Sequence, residues 1–209
     1  ISWISILAIA VGSAALLILL SVFNGFEGLV KELYSDFYPS LKISPMAGKT
    51  FKADPELITK LSHIKGISAI SQTLEEKVLL TNQDNQTMAV LKGVDTQYMH
   101  VTSMQKHIRE GDMNFQSPIA VIPVLMGQGI ANKLGVRSNN PYPVSCYVLN
   151  KPFHNGLELA TAYSADWLEV HGLFSLQEET DNQYVFAPLG RVQELCARPH
   201  DLSTIELKV

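Results

Sequence analysis

The amino-terminal part of the chain is predominantly apolar, and its first charged residue is Glu27. An α-helix rises ~1.5 Å per residue, so a hydrocarbon core of ~30 Å needs about 20 apolar residues. Residues 4–23 supply that length without a proline. The pattern predicts a transmembrane helix over residues 1–23. The alternatives are a signal peptide, which needs a positive start and a small-x-small cleavage site, and a buried helix of a soluble protein, which is usually shorter.

Small residues recur within this segment three, four and three positions apart: Ser5, Ala8, Gly12 and Ala15. This spacing places them on one face of a helix. In lipid, small side chains let a second helix approach closely, so that van der Waals contact stabilises the pair. The stripe therefore predicts packing against another membrane helix, from the same protein or from a partner.

Beyond the apolar segment the pattern becomes one-sided. Phe26, Leu29 and Leu33 recur at helical spacing, with polar and charged residues between them. Residues 24–40 are therefore predicted to continue the helix as a stalk, which stops near Pro39 because proline disfavours helical geometry in the residue before it. The acidic flank after the apolar segment contains few lysines, which favours an extracytoplasmic location for residues 41–209.

The remaining residues alternate between strand-like and helix-like patterns. Strands are predicted at residues 41–44, 77–81, 87–91, 119–122, 144–149, 167–174, 184–187 and 204–209. Helices are predicted from Asp54 to Gly66, over residues 124–134 and from Pro188 onward. The polar turn at residues 82–85 predicts a β-hairpin. This succession predicts an α+β fold, as one domain or as two closely joined subdomains.

Composition excludes some classes of function. The 209 residues carry a formal net charge of −4, which does not favour nucleic-acid binding. Cys146 and Cys196 are too few to define a disulfide framework, and the sequence leaves their pairing open. Because the chain lacks an initiator Met and ends within a predicted strand, we expect a fragment of a longer protein.

No catalytic, cofactor-binding or metal-binding motif stands out. The histidines include no pair four residues apart, and no Cys-x-x-Cys accompanies them. The acidic pairs Glu75–Glu76 and Glu178–Glu179 are interpreted as solvated charge, because adjacent side chains point in different directions. Residues 127–129 resemble the start of a dinucleotide-binding fingerprint without its third glycine, and no ATP-binding phosphate loop is present. The sequence predicts a membrane-anchored domain that is not an enzyme.

Several segments resemble those of lipoprotein-releasing ABC transporter permeases. Residues 20–26 (LSVFNGF) resemble the LSVxNGF segment at the end of that family's first membrane helix. Residues 127–136 (GQGIANKLGV) and 170–174 (VHGLF) resemble its G-x-x-(L/I)-A-x-x-L-x-V and V-x-G-x-F segments, and residues 181–195 match the strand and helix that follow. The chain departs from the pattern at residues 139–141, Asn-Asn-Pro, where the family usually has Gly-Asp.

The resemblance implies membership of the superfamily of the macrolide exporter MacB and the cell-division protein FtsX. It implies an inner-membrane protein with a two-subdomain extracytoplasmic domain over residues 41–209, incomplete at its carboxyl end, and three further membrane helices. Implied partners are a separate ABC-type ATPase, a second permease subunit in a homo- or heterodimer, membrane lipid, and a lipoprotein or its soluble carrier, with no cofactor. The implied function is coupling of the ATPase to lipoprotein release or hydrophobic cargo export through the stalk. The alternative is an FtsX-like regulator of a cell-wall hydrolase.

The resemblance also points to a partner-binding loop. In the family, the segment corresponding to residues 150–165 is an arm that engages the soluble lipoprotein carrier in one type of permease. Here the segment carries the apolar residues Pro152, Phe153, Leu157 and Leu159. Apolar residues in an exposed loop are typical of binding surfaces. The alternative is that they pack onto the domain's own sheet.

Overall fold

The computed structural model describes residues 2–52, 54–113, 115, 121–138, 140–149 and 163–209. The chain forms two compact units, Ile1–Tyr38 and Pro39–Val209.

The first unit is a helix, α1 (Ser2–Phe37), of 36 residues. Its segment Ser2–Gly28 is long and apolar enough to cross a membrane, and the most apolar part of it is entirely exposed. A helix that presents apolar side chains on every face has the composition of a membrane anchor. The helix continues without a break past residue 23, and its division into a membrane-spanning part and a stalk stays a prediction.

The second unit is built from β-strands and short helices. The strands are β1 (Leu41–Ile43), β2 (Phe51–Lys52), β3 (Ala69–Asn82), β4 (Asn85–Val94), β5 (Ile108–Gly111), β6 (Ile122–Gly127), β7 (Val144–Leu149), β8 (Tyr163–Phe174), β9 (Tyr184–Pro188), β10 (Asp201–Leu202) and β11 (Thr204–Lys208). The helices are α2 (Pro55–Ser62), α3 (Tyr98–Val101), α4 (Gln128–Leu134), α5 (Glu178–Asp181), α6 (Leu189–Leu195) and the 3-10 turn Met104–His107.

Six strands close into a ring, the barrel, in the order β3, β4, β9, β6, β8 and β7, with β7 pairing back onto β3. Their inward side chains form an apolar core together with α4 and α6. Asn82 and Asn85, at the turn between β3 and β4, donate hydrogen bonds to the Leu134 carbonyl at the end of α4. At the far end of β4, Val192 of α6 lies so close to Gly93 that an added Cβ would meet it at 2.9 Å. The two helices therefore pack at opposite ends of the hairpin.

Strand β3 belongs to the barrel and also to a second, smaller core. One edge of β3 pairs with β4, and the other edge pairs first with β11 and then with β7. β1 pairs with β11, and β2 with β10. The smaller core lies beside β11 and contains Leu61, Leu202, Ile205 and Leu207. The unit is thus a mixed α+β domain in which the barrel core and the smaller core share one strand, which confirms the predicted fold class.

The helix predicted over residues 124–134 is wrong in its first half. Ile122–Gly127 is strand β6, and only Gln128–Leu134 is helical. All six residues of β6 are buried: Ile122, Val124 and Met126 belong to the barrel core, and Leu125, on the opposite face, is also fully buried. A strand that is buried on both faces has no alternation to distinguish it from a helix. Other elements went unpredicted, and they are β2, β5, β10 and α5.

Candidate functional site

The residues predicted to pack against another membrane helix lie on α1, and all of them, Ser5, Ala8, Gly12 and Ala15, are exposed. A Cβ added at Gly12 would have no neighbour within 4 Å. Their surface is therefore accessible to a second helix. Packing there stays a prediction.

The predicted stalk residues Phe26, Leu29 and Leu33 belong to α1. The predicted partner-binding residues Pro152, Phe153, Leu157 and Leu159 lie outside the described residues. Both assignments stay predictions.

A cluster of charged residues lies where β1, β11, β3 and β4 run side by side. The Nζ atom of Lys92 lies 2.6 Å from Oε1 of Glu206 and 3.3 Å from Oε1 of Glu75. Lys42 Nζ lies 3.9 Å from the same oxygen of Glu75. Lys92 and Glu206 are buried. The ring of Tyr98, on α3, faces Lys92, and the Nζ atom of Lys92 lies 5.1 Å from the ring centroid.

The cluster keeps Lys92 charged. Burial alone lowers the pKa of a lysine, but Tyr98, Glu206 and Glu75 together outweigh burial and raise the pKa of Lys92 above its ordinary value. Burial raises the pKa of Tyr98 to about 12, so its hydroxyl is neutral. Oε2 of Glu206 is buried and has no hydrogen-bond partner among the described residues. Loss of one charge from such a buried pair would leave the other uncompensated.

Glu75 and Glu76 are not solvated charges, so that interpretation of the sequence is wrong. Glu76 is buried, and its Oε2 accepts a hydrogen bond from Arg198 Nη1 at 2.8 Å. The two carboxylates do point to opposite faces of β3, as expected of neighbours in a strand. Lys92, the partner of Glu75, and Arg198, the partner of Glu76, were not predicted, because both come from other elements of the fold.

An open cleft of about 500 Å³ lies beside this cluster. Its lining includes Lys42, Lys49, Glu75, Glu76 and Tyr184. Glu75 forms ion pairs with lysines of β1 and β4, whereas Glu76 pairs with Lys49 and Arg198, which lie outside the strands. No group of three or more His, Cys, Asp or Glu residues that could hold a metal occurs in the part of the chain that the structure describes. The arrangement joins strands to one another.

The outer face of the barrel carries an apolar patch, the outer patch, formed by Leu79, Met88, Tyr147, Leu149 and Tyr163. Leu79 lies opposite both Met88 and Tyr147 in the strand register, and Leu149 lies opposite Tyr163. Met88, Leu149 and Tyr163 are 61%, 50% and 45% exposed. The patch lines a shallow groove of about 300 Å³. That these side chains lie on the outer face and stay uncovered was not predicted from the sequence.

Cys146 and Cys196 are free thiols, and both belong to the barrel core. Burial raises the pKa of Cys146 to about 12 and that of Cys196 to about 11. Because the thiolate is the reactive form, both residues are inert at physiological pH.

Comparison with known proteins places the chain in a family. Residues 2–209 match the MacB-like periplasmic core domain. The chain is 25% identical to the lipoprotein-releasing system transmembrane protein LolC of Buchnera aphidicola, over 85% of this chain and 42% of that protein. It is 26% identical to LolE of Haemophilus influenzae, over 98% of this chain and 49% of that protein. It thus spans less than half the length of these relatives.

A solved structure supports the same fold. The extracellular domain of the noncanonic ABC-type transporter YknZ from Gram-positive bacteria superposes with a TM-score of 0.52 at 16% identity, over 78% of this chain and 75% of that one. At this identity the likeness concerns the fold alone. With the match over residues 2–209, it follows that the chain belongs to the MacB-like periplasmic core domain family.

Proposed function

We propose that the chain is part of a membrane permease subunit of an ABC transporter, which couples a separate ATPase to lipoprotein release or to the export of a hydrophobic cargo. The observation that carries the proposal is the continuity of α1. Its membrane-length apolar segment and its last residue, Phe37, belong to one helix. Only residues 38–40 separate that helix from β1. The names of the relatives, transmembrane proteins of lipoprotein-releasing systems, support the choice of cargo.

An unbroken helix can transmit movement, because each of its turns is hydrogen-bonded to the next. In this proposal the ATPase acts on the cytoplasmic side of the inner membrane, and tilting of the membrane half of α1 displaces the domain from residue 41 on the extracytoplasmic side. A second permease subunit packs against the stripe of small residues. The chain itself performs no catalysis and needs no cofactor.

The outer patch supports the presence of a binding surface for an apolar partner on the barrel. Leu149 and Tyr163, which lie opposite each other at its edge, directly flank the segment that carries Phe153 and Leu157. A lipidated cargo or a soluble lipoprotein carrier presents apolar surface, and exposed apolar patches are typical of such contacts. We assign partner binding to the outer patch and this segment together.

A proline in the stalk tests the transmission. Leu29→Pro removes one helical hydrogen bond, clashes with the preceding turn and costs ~3 kcal/mol or more. The full-length permease, reconstituted with its ATPase in vesicles, is expected to assemble and hydrolyse ATP but to release no cargo. Both rates are measured side by side.

The matched control is Glu32→Ala, which changes the same helix without removing a backbone donor and is expected to leave both rates unchanged. Wild-type cargo release by Leu29→Pro would mean that the stalk is a passive tether. If the proline prevents assembly, a Gly-Gly insertion after Val30 takes its place. ATP-dependent activation of a peptidoglycan hydrolase without cargo release would identify the FtsX-like regulator instead.

A further inference from the structure

The charge cluster joins four neighbouring strands, each of which contributes one residue: Lys42 from β1, Glu206 from β11, Glu75 from β3 and Lys92 from β4. We call these four residues the brace. In the strand register Lys42 lies opposite Glu206, and Glu75 lies opposite Lys92. Because neighbouring strands are about 4.8 Å apart, Lys92 must extend across β3 to reach Glu206 on β11. This contact therefore connects strands that share no backbone hydrogen bonds.

The two strands at this edge of the sheet pair through few residues, and β11 is otherwise held by the smaller core, which contains Ile205 and Leu207. β1 pairs with β11 through three residues, and β11 pairs with β3 through five. Short strands near a sheet edge are among the first elements to open in local unfolding. The Thr73 and Thr204 hydroxyls, 2.6 Å apart, also connect β11 to β3, but they reach only the adjacent strand.

The brace also selects the register of β11. Ile205 and Leu207 contribute to the smaller core, so a slip by one residue would move them out of it. A slip by two residues would preserve this alternation. It would, however, separate Glu206 from Lys92 and leave the buried carboxylate of Glu206 without its partner, which is strongly unfavourable.

We propose that the brace fixes β1 and β11 rigidly to the β3–β4 hairpin, so that a displacement arriving at β1 moves the barrel with it. β1 is the first strand after α1, and it is therefore where movement of the helix enters the domain. The role of the brace in transmission rests on the function proposed above, whereas the rigid attachment of the two strands does not.

Hydrogen exchange of the full-length protein in lipid nanodiscs tests the attachment. Lys92→Met removes the central charge and keeps a side chain of similar length. Peptides that contain β1 and β11 are expected to exchange at least about tenfold faster, while peptides from β6 and β8 keep their wild-type rates. The matched control is Lys60→Met, which removes a lysine from the exposed pair with Glu56, at 3.2 Å, and is expected to change neither region.

Unchanged exchange in β1 and β11 would overturn the proposal. So would an equal acceleration in all four strands, since the brace would then contribute only to global stability. If Lys92→Met does not fold, Glu206→Gln is measured instead, because it keeps the size of the side chain and an accepting oxygen. The exchange rates of β1 and β11 are again compared with those of β6 and β8.

The vesicle assay separates this inference from the proposed function. If movement is transmitted through the brace, the Lys92→Met permease is expected to retain ATP hydrolysis and to lose cargo release. If β1 and β11 exchange faster in this variant while cargo release persists, the brace attaches the two strands but does not carry the transmission, and Leu29→Pro alone decides whether the stalk transmits movement.

Discussion

Helix α1 and the barrel contain the same kinds of apolar side chain with opposite exposure. Leu16 and Leu17 of α1 are 61% and 69% exposed, whereas Leu74 and Leu91 in the barrel are fully buried. The barrel strands carry apolar residues at alternate positions, so closing the ring buries one face. The helix is apolar on all faces and needs an apolar surrounding, as a bilayer provides. The period of the apolar pattern thus decides whether a segment finds its burial within its own domain.

The same truncation in both regions gives the largest expected difference. Leu74→Ala leaves a cavity in the barrel and is expected to lower the free energy of unfolding by about 2–5 kcal/mol. Leu17→Ala in α1 is expected to change it by less than about 0.5 kcal/mol, because that side chain contributes little to the domain core. Denaturant titration of the full-length protein in detergent, followed by near-ultraviolet circular dichroism, measures both. Equal losses would mean that α1 is part of the folded core.

The faces of α1 are expected to differ in how much they contribute to assembly with a second helix. Gly12→Leu enlarges the stripe of small residues and is expected to weaken assembly about tenfold, which corresponds to the 1–2 kcal/mol typical of helix contacts in lipid. Leu17→Phe, away from the stripe, serves as the control and is expected to have a smaller effect. Energy transfer between labelled subunits in bilayers measures assembly. Equal effects would exclude this face as the contact.

The effect with the smallest consequence for stability at physiological pH concerns the closed barrel and its buried thiol. Because burial raises the pKa of Cys146 to about 12, the folded state favours the neutral thiol. The stabilisation is fully present below the ordinary thiol pKa of about 8.5 and decreases as the pH rises toward 12. At pH 8 we expect alkylation of Cys146 to be at least about 100-fold slower than that of an exposed cysteine introduced by Met88→Cys. Mass spectrometry measures both, and similar rates would show that the barrel opens readily.

The sequence predicted local features of the domain well. Asp54 caps α2, where its Oδ1 accepts a hydrogen bond from the Glu56 backbone amide at 3.0 Å. Gly135, with φ +67°, ends α4 in the left-handed conformation that favours glycine. β7 spans the predicted residues, Val144–Leu149. Each of these depends on residues a few positions apart, which is the range that sequence patterns report.

The candidate sites depend on residues that lie far apart along the chain, and the sequence predicted them less completely. The sequence identified Glu75 and Glu76 as an acidic pair, but Lys92 meets Glu75 only when β3 pairs with β4, and Arg198 reaches Glu76 from the segment after the helix Leu189–Leu195. A pair of carboxylates without known partners is normally exposed, and the interpretation as solvated charge followed from that rule. It failed because the opposite charges are brought in from distant parts of the chain.

By itself, the sequence determined that residues 1–23 favour an apolar helix, predicted that residues 24–40 continue it as a stalk, and determined that residues 41–209 form an α+β domain whose strands alternate in side-chain direction. Only the tertiary structure decided which of those faces are covered. It made β6 a strand by placing β8 and β9 on either side, buried Lys92 and Glu206 of the brace, and left the outer patch exposed. The physical reason is that periodicity fixes the direction of a side chain, whereas burial depends on which distant segments pack against it.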